Sequence, residues 1–318
     1  NEMMRAGPAW FAAAVPVSAN DAVDQHLAAF GAKLVKTKIG SPHVIAAMQK
    51  LRTEGFGRVV SWEANGGFLT GTDLELGRGT LKALPTRDAV LPILCALFSA
   101  FGRGLTVVQD FARLPRRFSR AGLLDQFPPE ASRAILARFS PSDPRVVEAV
   151  FGGGAVSVID PDGKAAQLAP GHALAAELHE KRRVIQAYFT AVEGFGPLER
   201  LNVLDGVRMA FRGGDIAHVR PSGNAPQLRA YACAGSQARA DAIARACLKE
   251  PDGILRRIEH ALARGRGPLL TTNGTKETED SMTPKSGEPR ASSSRLLLCV
   301  LCGEDSFALS PVGRMRVG

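Results

Sequence analysis

The feature that most restricts the fold is an alternation of short apolar strands with a capped helix near the start of the chain. KLVKTKI and GRVVSWE (residues 33–39 and 57–63) have the length and β-branched content of strands, and residues 41–55 between them have helical periodicity. Ser41 and Pro42 suit the cap and the first position of that helix. A strand–helix–strand order predicts an α/β fold with parallel strands joined by right-handed crossovers.

The later part of the chain has the alternation that is typical of an antiparallel sheet. VRMAF, IAHVR and LRAYACA, within residues 207–234, are separated first by Gly213 and Gly214 and then by a polar loop. Segments with helical periodicity, residues 172–196 and 236–265, flank these strands. The pattern predicts an α+β domain with an antiparallel sheet, which follows the parallel-rich α/β domain.

We divide the chain into four segments. Residues 1–14 are interpreted as a remnant of a preceding domain, residues 15–118 as the α/β domain and residues 119–267 as the α+β domain. The start of the second domain, residues 114–136, contains three prolines and is expected to be a connector that leads into a helix at about Glu130. Residues 268–318 open with a polar run rich in Ser, Thr, Gly and Pro, which predicts a disordered tail.

Composition and charge narrow the functional classes. The formal net charge of +9 would suit a nucleic-acid partner, but aromatic residues make up only 6% of the chain and the arginines are scattered, so no nucleic-acid surface is expected. No apolar run is long enough to cross a bilayer, so no membrane partner is expected either. An anionic small molecule is the partner class that we prefer.

The cysteines indicate a reducing compartment. They are five in number and scattered, which argues against a disulfide framework, and no secretory signal precedes them, so a cytoplasmic location is expected. Cys299 and Cys302 form one CxxC without further Cys or His residues close in sequence, so we predict no metal site. Five histidines have no paired acid or nucleophile in the sequence and are interpreted as ordinary surface or core residues: His43, His172, His179, His218 and His260.

The stretch VRPSGNAPQLRAYA, residues 219–232, has the chemistry of an anion clamp between two strands. Arg220 can hold a phosphate through two parallel charge-assisted bonds, and Ser222 and Asn224 add a hydroxyl and an amide. The backbone N–H groups around Gly223 can form a concave anion site, and two prolines stiffen the loop. On composition by itself, an ordinary polar hairpin loop explains the stretch equally well.

Two other junctions place polar groups where ligands of open α/β sheets bind, beyond the carboxyl ends of the strands. Lys38 precedes a helix N-terminus, which attracts anions. Glu63 and Asn65 lie in a glycine-rich loop after a strand, where a carboxylate and an amide can bind sugar hydroxyls. A plain helix start and a polar turn are the alternatives for the two stretches.

Taken together, these stretches resemble the alpha-D-phosphohexomutase superfamily, most closely the C-terminal half of bacterial phosphomannomutases. VRPSGNAPQLRAYA is similar to the phosphate loop RPSGTEPKLR of the last domain, and LDGVRMAF is similar to the strand before that loop. TKIGSPHVIAAM, WEANGG and LPTRDAVLPIL resemble, in the family's order, a substrate-contacting segment, the sugar loop and the helix after it. The similarity covers residues 15–265 without residues 157–202.

The resemblance implies a hexose phosphate ligand, either mannose phosphate or glucose phosphate. The residues that it assigns to the phosphate group are Arg220, Ser222, Gly223 and Asn224. Arg229 either assists this loop or is an ordinary arginine on a strand surface.

The resemblance also assigns the sugar-binding groups. Glu63 would accept hydrogen bonds from sugar hydroxyls, and Lys38 would add positive charge at the reacting centre. Asn65 stands where the family loop usually has serine, and Gly67 where it often has histidine. Because of these two departures, the resemblance leaves the preferred hexose open.

Two loops of the family are not found in the sequence. Its members interconvert hexose 6-phosphate and hexose 1-phosphate through a phosphoserine in a TASHNP-like loop, and they hold Mg²⁺ in a DGDGDR-like loop. IDPDGK, residues 159–164, suits a turn better than the metal loop. The resemblance thus implies an intramolecular phosphotransferase whose catalytic serine and Mg²⁺ ligands are absent here, so that this polypeptide would bind a hexose phosphate without turnover. A non-catalytic sugar-phosphate-binding module and a basic nucleic-acid binder are the alternatives.

Overall fold

The computed structural model describes residues 10–64, 66–76, 79–223 and 225–265. This part of the chain forms two compact units, the first ending at Pro115 and the second beginning at Arg116. Within the same residues, no helix is both long and apolar enough to cross a membrane.

The described part of the first unit is built on a four-stranded sheet. Its strands are β1 (Phe11–Pro16), β2 (Lys33–Thr37), β3 (Arg58–Trp62) and β4 (Phe68–Thr70), in the order β2-β1-β3-β4. β1 is parallel to both β2 and β3, and β4 is antiparallel to β3. The predicted parallel-rich α/β sheet is therefore confirmed.

Helices cover both faces of this sheet. The remaining elements of the unit are α1 (Ala22–Ala29), α2 (Ser41–Thr53), the hairpin β5 (Leu74–Leu76) and β6 (Gly79–Leu81), α3 (Val90–Gly102) and α4 (Val107–Ala112). Successive residues of a strand point to opposite faces. In β1, Ala12 therefore packs in one core with Met48 of α2, whereas Ala13 packs in a second core with Leu27 of α1.

Residues 116–265, apart from residue 224, form an antiparallel sheet of eight strands with helices packed on it. The strands are β7 (Phe118–Leu124), β8 (Glu148–Gly152), β9 (Ala155–Ile159), β10 (Ala165–Gln167), β11 (Leu198–Asn202), β12 (Val207–Phe211), β13 (Ile216–Pro221) and β14 (Leu228–Ala234), in the order β10-β9-β8-β11-β12-β13-β14-β7. The helices are α5 (Pro129–Phe139), α6 (Ala173–Gln186), a short 3₁₀ helix (Ala191–Glu193), α7 (Gln237–Leu248) and α8 (Ile254–Ala263). The predicted α+β class of this unit is confirmed.

The two faces of the eight-stranded sheet differ in chemistry. Val219 of β13 and Ala230 of β14 belong to the core that the helices complete. The residues that alternate with them lie on the opposite face. We call this surface the polar face; it contains Arg208, His218, Arg220, Arg229 and Tyr231.

One part of the predicted connector is a strand. All seven residues of β7 pair with β14, from Leu124 opposite Leu228 to Phe118 opposite Ala234. As an edge strand, β7 leaves several side chains exposed, so its sequence lacks the apolar alternation of an inner strand. The prolines at 115, 128 and 129 flank the strand and do not interrupt it.

The segment boundaries proposed from the sequence stay predictions. Residues 11–14, which were placed before the first domain, are part of β1, and the boundary after residue 118 falls inside β7. The predicted tail at 268–318 lies outside the described residues.

Candidate functional site

The proposed phosphate loop is the connection between β13 and β14. The Ser222 N–H donates to the Gln227 carbonyl at 2.8 Å, and this bond closes the base of the loop. Gly223 is exposed, and a side chain built there would meet no atom within 4 Å. Asn224 lies outside the described residues. The structure thus brings Arg220, Ser222 and Gly223 together at one hairpin end.

The far side of this loop is attached to the turn that follows β7. The Phe127 N–H donates to the Pro226 carbonyl at 2.8 Å, and the Gln227 side chain donates from Nε2 to Asp125 Oδ1 at 2.7 Å. Phe127 itself is fully buried, so the loop is attached to the core of the unit. These bonds limit the conformations that the loop must give up when it binds a ligand.

Arg220 is oriented by an acidic partner from the neighbouring turn. Its Nε donates to Asp205 Oδ1 at 2.9 Å, and the arginine side chain is 19% exposed. Nε is one of five N–H donors of a guanidinium, so the two terminal NH₂ groups are left to form a bidentate fork. Asp205 belongs to the turn between β11 and β12 and was not singled out in the sequence.

Arg229 lies directly opposite Arg220 in the pairing of β13 with β14. Directly opposed residues have Cβ atoms about 4.5–5.5 Å apart, and like charges in this arrangement repel each other. Among the described residues, the buried Arg229 Nε has no hydrogen-bond acceptor, and Asp205 pairs with the Nε of Arg220. Two adjacent guanidinium groups, of which Arg220 is paired with the Asp205 carboxylate, form an arrangement that a bound anion would stabilise.

His218, two residues before Arg220, is a buried polar group on the same face. It is 2% exposed, and its Nε2 lies 2.7 Å from the backbone carbonyl oxygen of Asp205. Burial lowers the pKa of His218 to about 4, so the imidazole is neutral at physiological pH. Period-2 alternation placed His218 on the face opposite the core, but the sequence carried no signal for its burial.

In the first unit, Glu63 follows β3 and is 4% exposed. Its Oε2 accepts from Arg87 Nε at 2.6 Å and from Ser41 Oγ at 3.3 Å. The Glu63 N–H donates to the Gly67 carbonyl at 2.9 Å, which holds the loop in a tight turn. Glu63 is therefore a paired carboxylate, and sugar hydroxyls that approach it would also meet Arg87.

Arg87 lies over Gly67. An ideal Cβ built on Gly67 would lie 2.9 Å from Arg87 Cγ, which is closer than real side chains pack. The Arg87 side chain is 54% exposed, so its guanidinium reaches both Glu63 and solvent. The glycine at position 67, where the family often has histidine, indicated that another group could lie close to the loop. That this group is Arg87, 20 residues later, could not be identified from the sequence.

Lys38 lies at the same edge of the sheet as Glu63. β2 ends at Thr37 and β3 ends at Trp62, and both strands are parallel to β1, so their carboxyl ends share one edge. Lys38 is exposed and lies just before α2, where anions are favoured. Asn65, the third predicted sugar-binding residue, lies outside the described residues.

The turn with two aspartates has a structural explanation. Asp160 Oδ1 accepts from the backbone N–H groups of Asp162 and Lys164, at 3.0 and 2.9 Å, and so stabilises its own turn. In the part of the chain that the structure describes, no group of three or more His, Cys, Asp or Glu side chains is arranged to hold a metal ion.

Comparisons with known proteins point to one family. Residues 3–118 match the family model described as phosphoglucomutase/phosphomannomutase, alpha/beta/alpha domain III. A curated phosphomannomutase from Sinorhizobium fredii is 34% identical over 220 residues, and one from Salmonella muenchen is 32% identical over 228 residues. These alignments cover 69% and 71% of this chain but 36% and 38% of the relatives, so the chain spans well under half of their length.

A solved structure with similarity to this chain is the Aspergillus fumigatus N-acetylphosphoglucosamine mutase in complex with GlcNAc-6P and magnesium. It is 15% identical, with a TM-score of 0.43, and the alignment covers 84% of this chain and 41% of that one.

Proposed function

We propose that the chain is a member of the phosphoglucomutase/phosphomannomutase family and that it binds a hexose phosphate such as mannose or glucose phosphate. It would supply the phosphate-binding and sugar-binding groups of a phosphomannomutase-type isomerase. In such an enzyme, a phosphoserine donates its phosphoryl group to a free hydroxyl of the hexose phosphate. The serine then takes back the phosphoryl group that the ligand carried at its other position. We propose that this chain does not supply the nucleophilic serine, so that it would need a serine-bearing partner segment for turnover.

The pairing of Arg220 with Arg229 is the observation that carries the proposal. A phosphate monoester is doubly charged at neutral pH, so it can neutralise both guanidinium groups and accept the bidentate bonds of Arg220. Ser222 and the exposed backbone at Gly223 lie on the same hairpin and would supply further donors. Asn224 is proposed as the fourth phosphate-binding residue.

At the edge of the first unit's sheet, we propose that Glu63 and Arg87 together bind hydroxyls of the sugar. A carboxylate accepts and a guanidinium donates, so the pair can satisfy both roles of a hydroxyl group. Lys38 would attract the anionic ligand to this edge, and Asn65 is proposed as a further sugar contact. These contacts would determine which hexose is preferred, and the proposal covers both mannose phosphate and glucose phosphate.

Magnesium, which the family implies, does not fit the donor groups seen here. Mg²⁺ needs oxygen donors in near-octahedral geometry, commonly one or two carboxylates with phosphates and waters. Of the two aspartates considered for this role, Asp160 accepts two backbone N–H bonds within its own turn. No step of the proposed function is therefore assigned to a metal held by the described residues.

A cytoplasmic location is also proposed, because the five cysteines are odd in number and scattered.

Calorimetric titration with mannose 6-phosphate, and with mannose as the uncharged control ligand, tests the proposal. Arg220→Ala should weaken the affinity for the phosphate ester about tenfold or more, because hydrogen bonds to charged groups contribute ~1.5–3 kcal/mol. Arg145→Ala is the charge-matched control, since Arg145 pairs with Asp143 and is 84% exposed. No binding by the wild type, or equal losses in the two variants, would refute the proposal.

A non-catalytic sugar-phosphate-binding module is the second candidate, favoured by the two loops that are not found in the sequence. Mixing the chain with a serine-bearing N-terminal half of a phosphomannomutase distinguishes the enzyme hypothesis from the binding-module hypothesis. Recovery of mutase activity supports the enzyme hypothesis. Binding of the hexose phosphate without any recovery of activity supports the hypothesis of a binding module.

A further inference from the structure

A short chain of polar contacts connects the sheet of the second unit to Arg220. The Nε2 atom of His218 lies 2.7 Å from the carbonyl oxygen of Asp205, and Asp205 Oδ1 accepts from Arg220 Nε at 2.9 Å. Asp205 is thus held through its backbone and holds the arginine through its side chain.

The chemistry of the contact fixes the form of the imidazole. A carbonyl oxygen can only accept, so Nε2 of His218 carries the proton and donates a hydrogen bond to the Asp205 carbonyl oxygen. Within the described residues, the buried Nδ1 has no hydrogen-bond partner. The ring faces Arg208 on β12 and Tyr231 on β14, with ring centroids of His218 and Tyr231 5.5 Å apart. Burial and the neighbouring charges of Arg208 and Arg220 lower the pKa of His218, which keeps the donor neutral.

The turn that carries Asp205 is pressed against β13. Gly206 has a φ of +77°, and a Cβ built on it would lie 2.3 Å from the Val219 carbonyl oxygen. The Leu204 N–H donates to Asn202 Oδ1 at 3.1 Å on the other side of the turn. The backbone therefore approaches β13 closely, and His218 contributes a side-chain hydrogen bond to the Asp205 carbonyl.

We propose that His218 is a positioning residue, which holds the Asp205 turn and thereby orients the Arg220 guanidinium for a phosphate group. With Nε held by Asp205, the plane of the guanidinium is set and its terminal NH₂ groups keep the fork geometry that a phosphate needs. Without the imidazole, the Asp205 carbonyl loses the hydrogen bond from His218, and Arg220 regains side-chain rotamers whose loss then opposes binding. The phosphate ligand rests on the proposed function; the orientation of Arg220 does not.

Three variants separate positioning from packing. His218→Gln keeps an N–H donor near the place of Nε2, His218→Asn places its amide near Nδ1 instead, and His218→Leu removes the donor at similar volume. The first readout is hydrogen exchange of the Arg220 Nε–H followed by NMR without ligand, and the second is the affinity for mannose 6-phosphate. Thermal unfolding of each variant reports packing.

The expected result is an exchange of the Arg220 Nε–H that is about tenfold faster in the Asn and Leu variants, the size expected for one lost hydrogen bond. The affinity for mannose 6-phosphate should fall by about the same factor. The Gln variant should keep both quantities within about threefold of the wild type, whatever its melting temperature. If the Leu variant does not fold, the comparison of the Asn variant with the Gln variant still tests the loss of the donor at Nε2.

Two outcomes would overturn the inference. In one, exchange at Arg220 is unchanged when the donor is removed; in the other, Gln is as damaging as Asn, which would mean that His218 only fills space. If the wild type binds no phosphate ester, the proposed function fails, but the exchange of the Arg220 Nε–H still decides whether His218 positions it.

Discussion

Arg87 donates from Nε to Oε2 of Glu63 at 2.6 Å, and it can do so because residue 67, beneath it, has no side chain. Glu63 is nearly fully buried, so its carboxylate depends on this partner and on the weaker bond from Ser41 at 3.3 Å. Leaving a buried charge without its partner costs far more than losing an exposed ion pair. The glycine and the arginine are therefore two parts of one arrangement.

The first prediction concerns Gly67→Ala. The new methyl group would displace Arg87 from Glu63 and should lower the free energy of unfolding by roughly 1–3 kcal/mol, the cost of an unsatisfied buried group. It should also weaken the binding of hexose phosphates, if Arg87 contacts the sugar. Urea denaturation and calorimetric titration measure the two effects.

Gly102→Ala is the matched control in the same unit. Gly102 ends α3, and a Cβ there would meet nothing within 4 Å, so this change should be neutral or slightly stabilising. Equal stabilities of the two alanine variants would show that Arg87 accommodates the methyl group and that the pair is not coupled to Gly67.

The elements of this fold that are visible in the sequence are those whose pattern is local. Strands β2 and β3 and helix α2 between them follow from apolar runs and helical periodicity, and the hairpins of β12 to β14 follow from alternation and glycine turns. The predicted cap was wrong by one residue: the N-cap of α2 is Gly40, without a side-chain cap bond, and Ser41 is the first helical residue, whose hydroxyl donates to Glu63 instead. The edge strand β7 was missed, since among the described strands it has a neighbour on one side only and its sequence needs no apolar alternation.

The candidate site was predictable only in part, for the same reason. The loop at Ser222 could be predicted from a stretch of about ten residues. The backbone freedom of glycine, the stiffness of proline and the charge of arginine can each be inferred without knowing the fold. Arg87 and Asp205 act through partners that are 24 and 15 residues away, and their roles appear only when the chain is folded. The burial of His218 likewise depends on tertiary packing and not on its neighbours in sequence.

The second prediction concerns the like charges of Arg220 and Arg229. Arg229→Met removes the repulsion but keeps much of the hydrocarbon stem, so stability without phosphate should stay equal or rise by about 0.5 kcal/mol. The increase in melting temperature that phosphate esters produce should become smaller, since one of the two cations is missing. Thermal unfolding with and without mannose 6-phosphate measures both. A variant that is destabilised and keeps the full ligand effect would contradict the anion site.

The third prediction follows from the pKa of His218, which burial lowers from 6.5 to about 4. The unfolded chain binds a proton at this residue below pH 6.5, while the folded chain does so only near pH 4, so acid favours unfolding. Stability should therefore fall as the pH drops through this window, by at most about 1.4 kcal/mol per pH unit from this group. Urea denaturation of the wild type and of His218→Gln at several pH values isolates the contribution as a difference.

That difference between the two proteins should be constant above pH 7 and should change progressively between pH 6.5 and pH 4. Asp205, Arg208 and Arg220 surround the ring and remain in both proteins, so their own titration cancels to first order. A difference that does not vary with pH would mean that the ring is accessible to protons in the folded state.

The fourth prediction compares two glycines that share a left-handed backbone. Gly206 and Gly213 have φ angles of +77° and +93°, so alanine is strained at both, by about 1 kcal/mol. At Gly213 nothing lies within 4 Å of the new Cβ, whereas at Gly206 it would lie 2.3 Å from the Val219 carbonyl oxygen. Overpacking of this kind costs a further ~1–3 kcal/mol, so Gly206→Ala should be the less stable variant by that amount. Because the turn would move away from β13 and take Asp205 with it, Gly206→Ala should also weaken phosphate binding, and Gly213→Ala should not. Equal affinities in the two variants would show that Arg220 finds its orientation without the Asp205 turn.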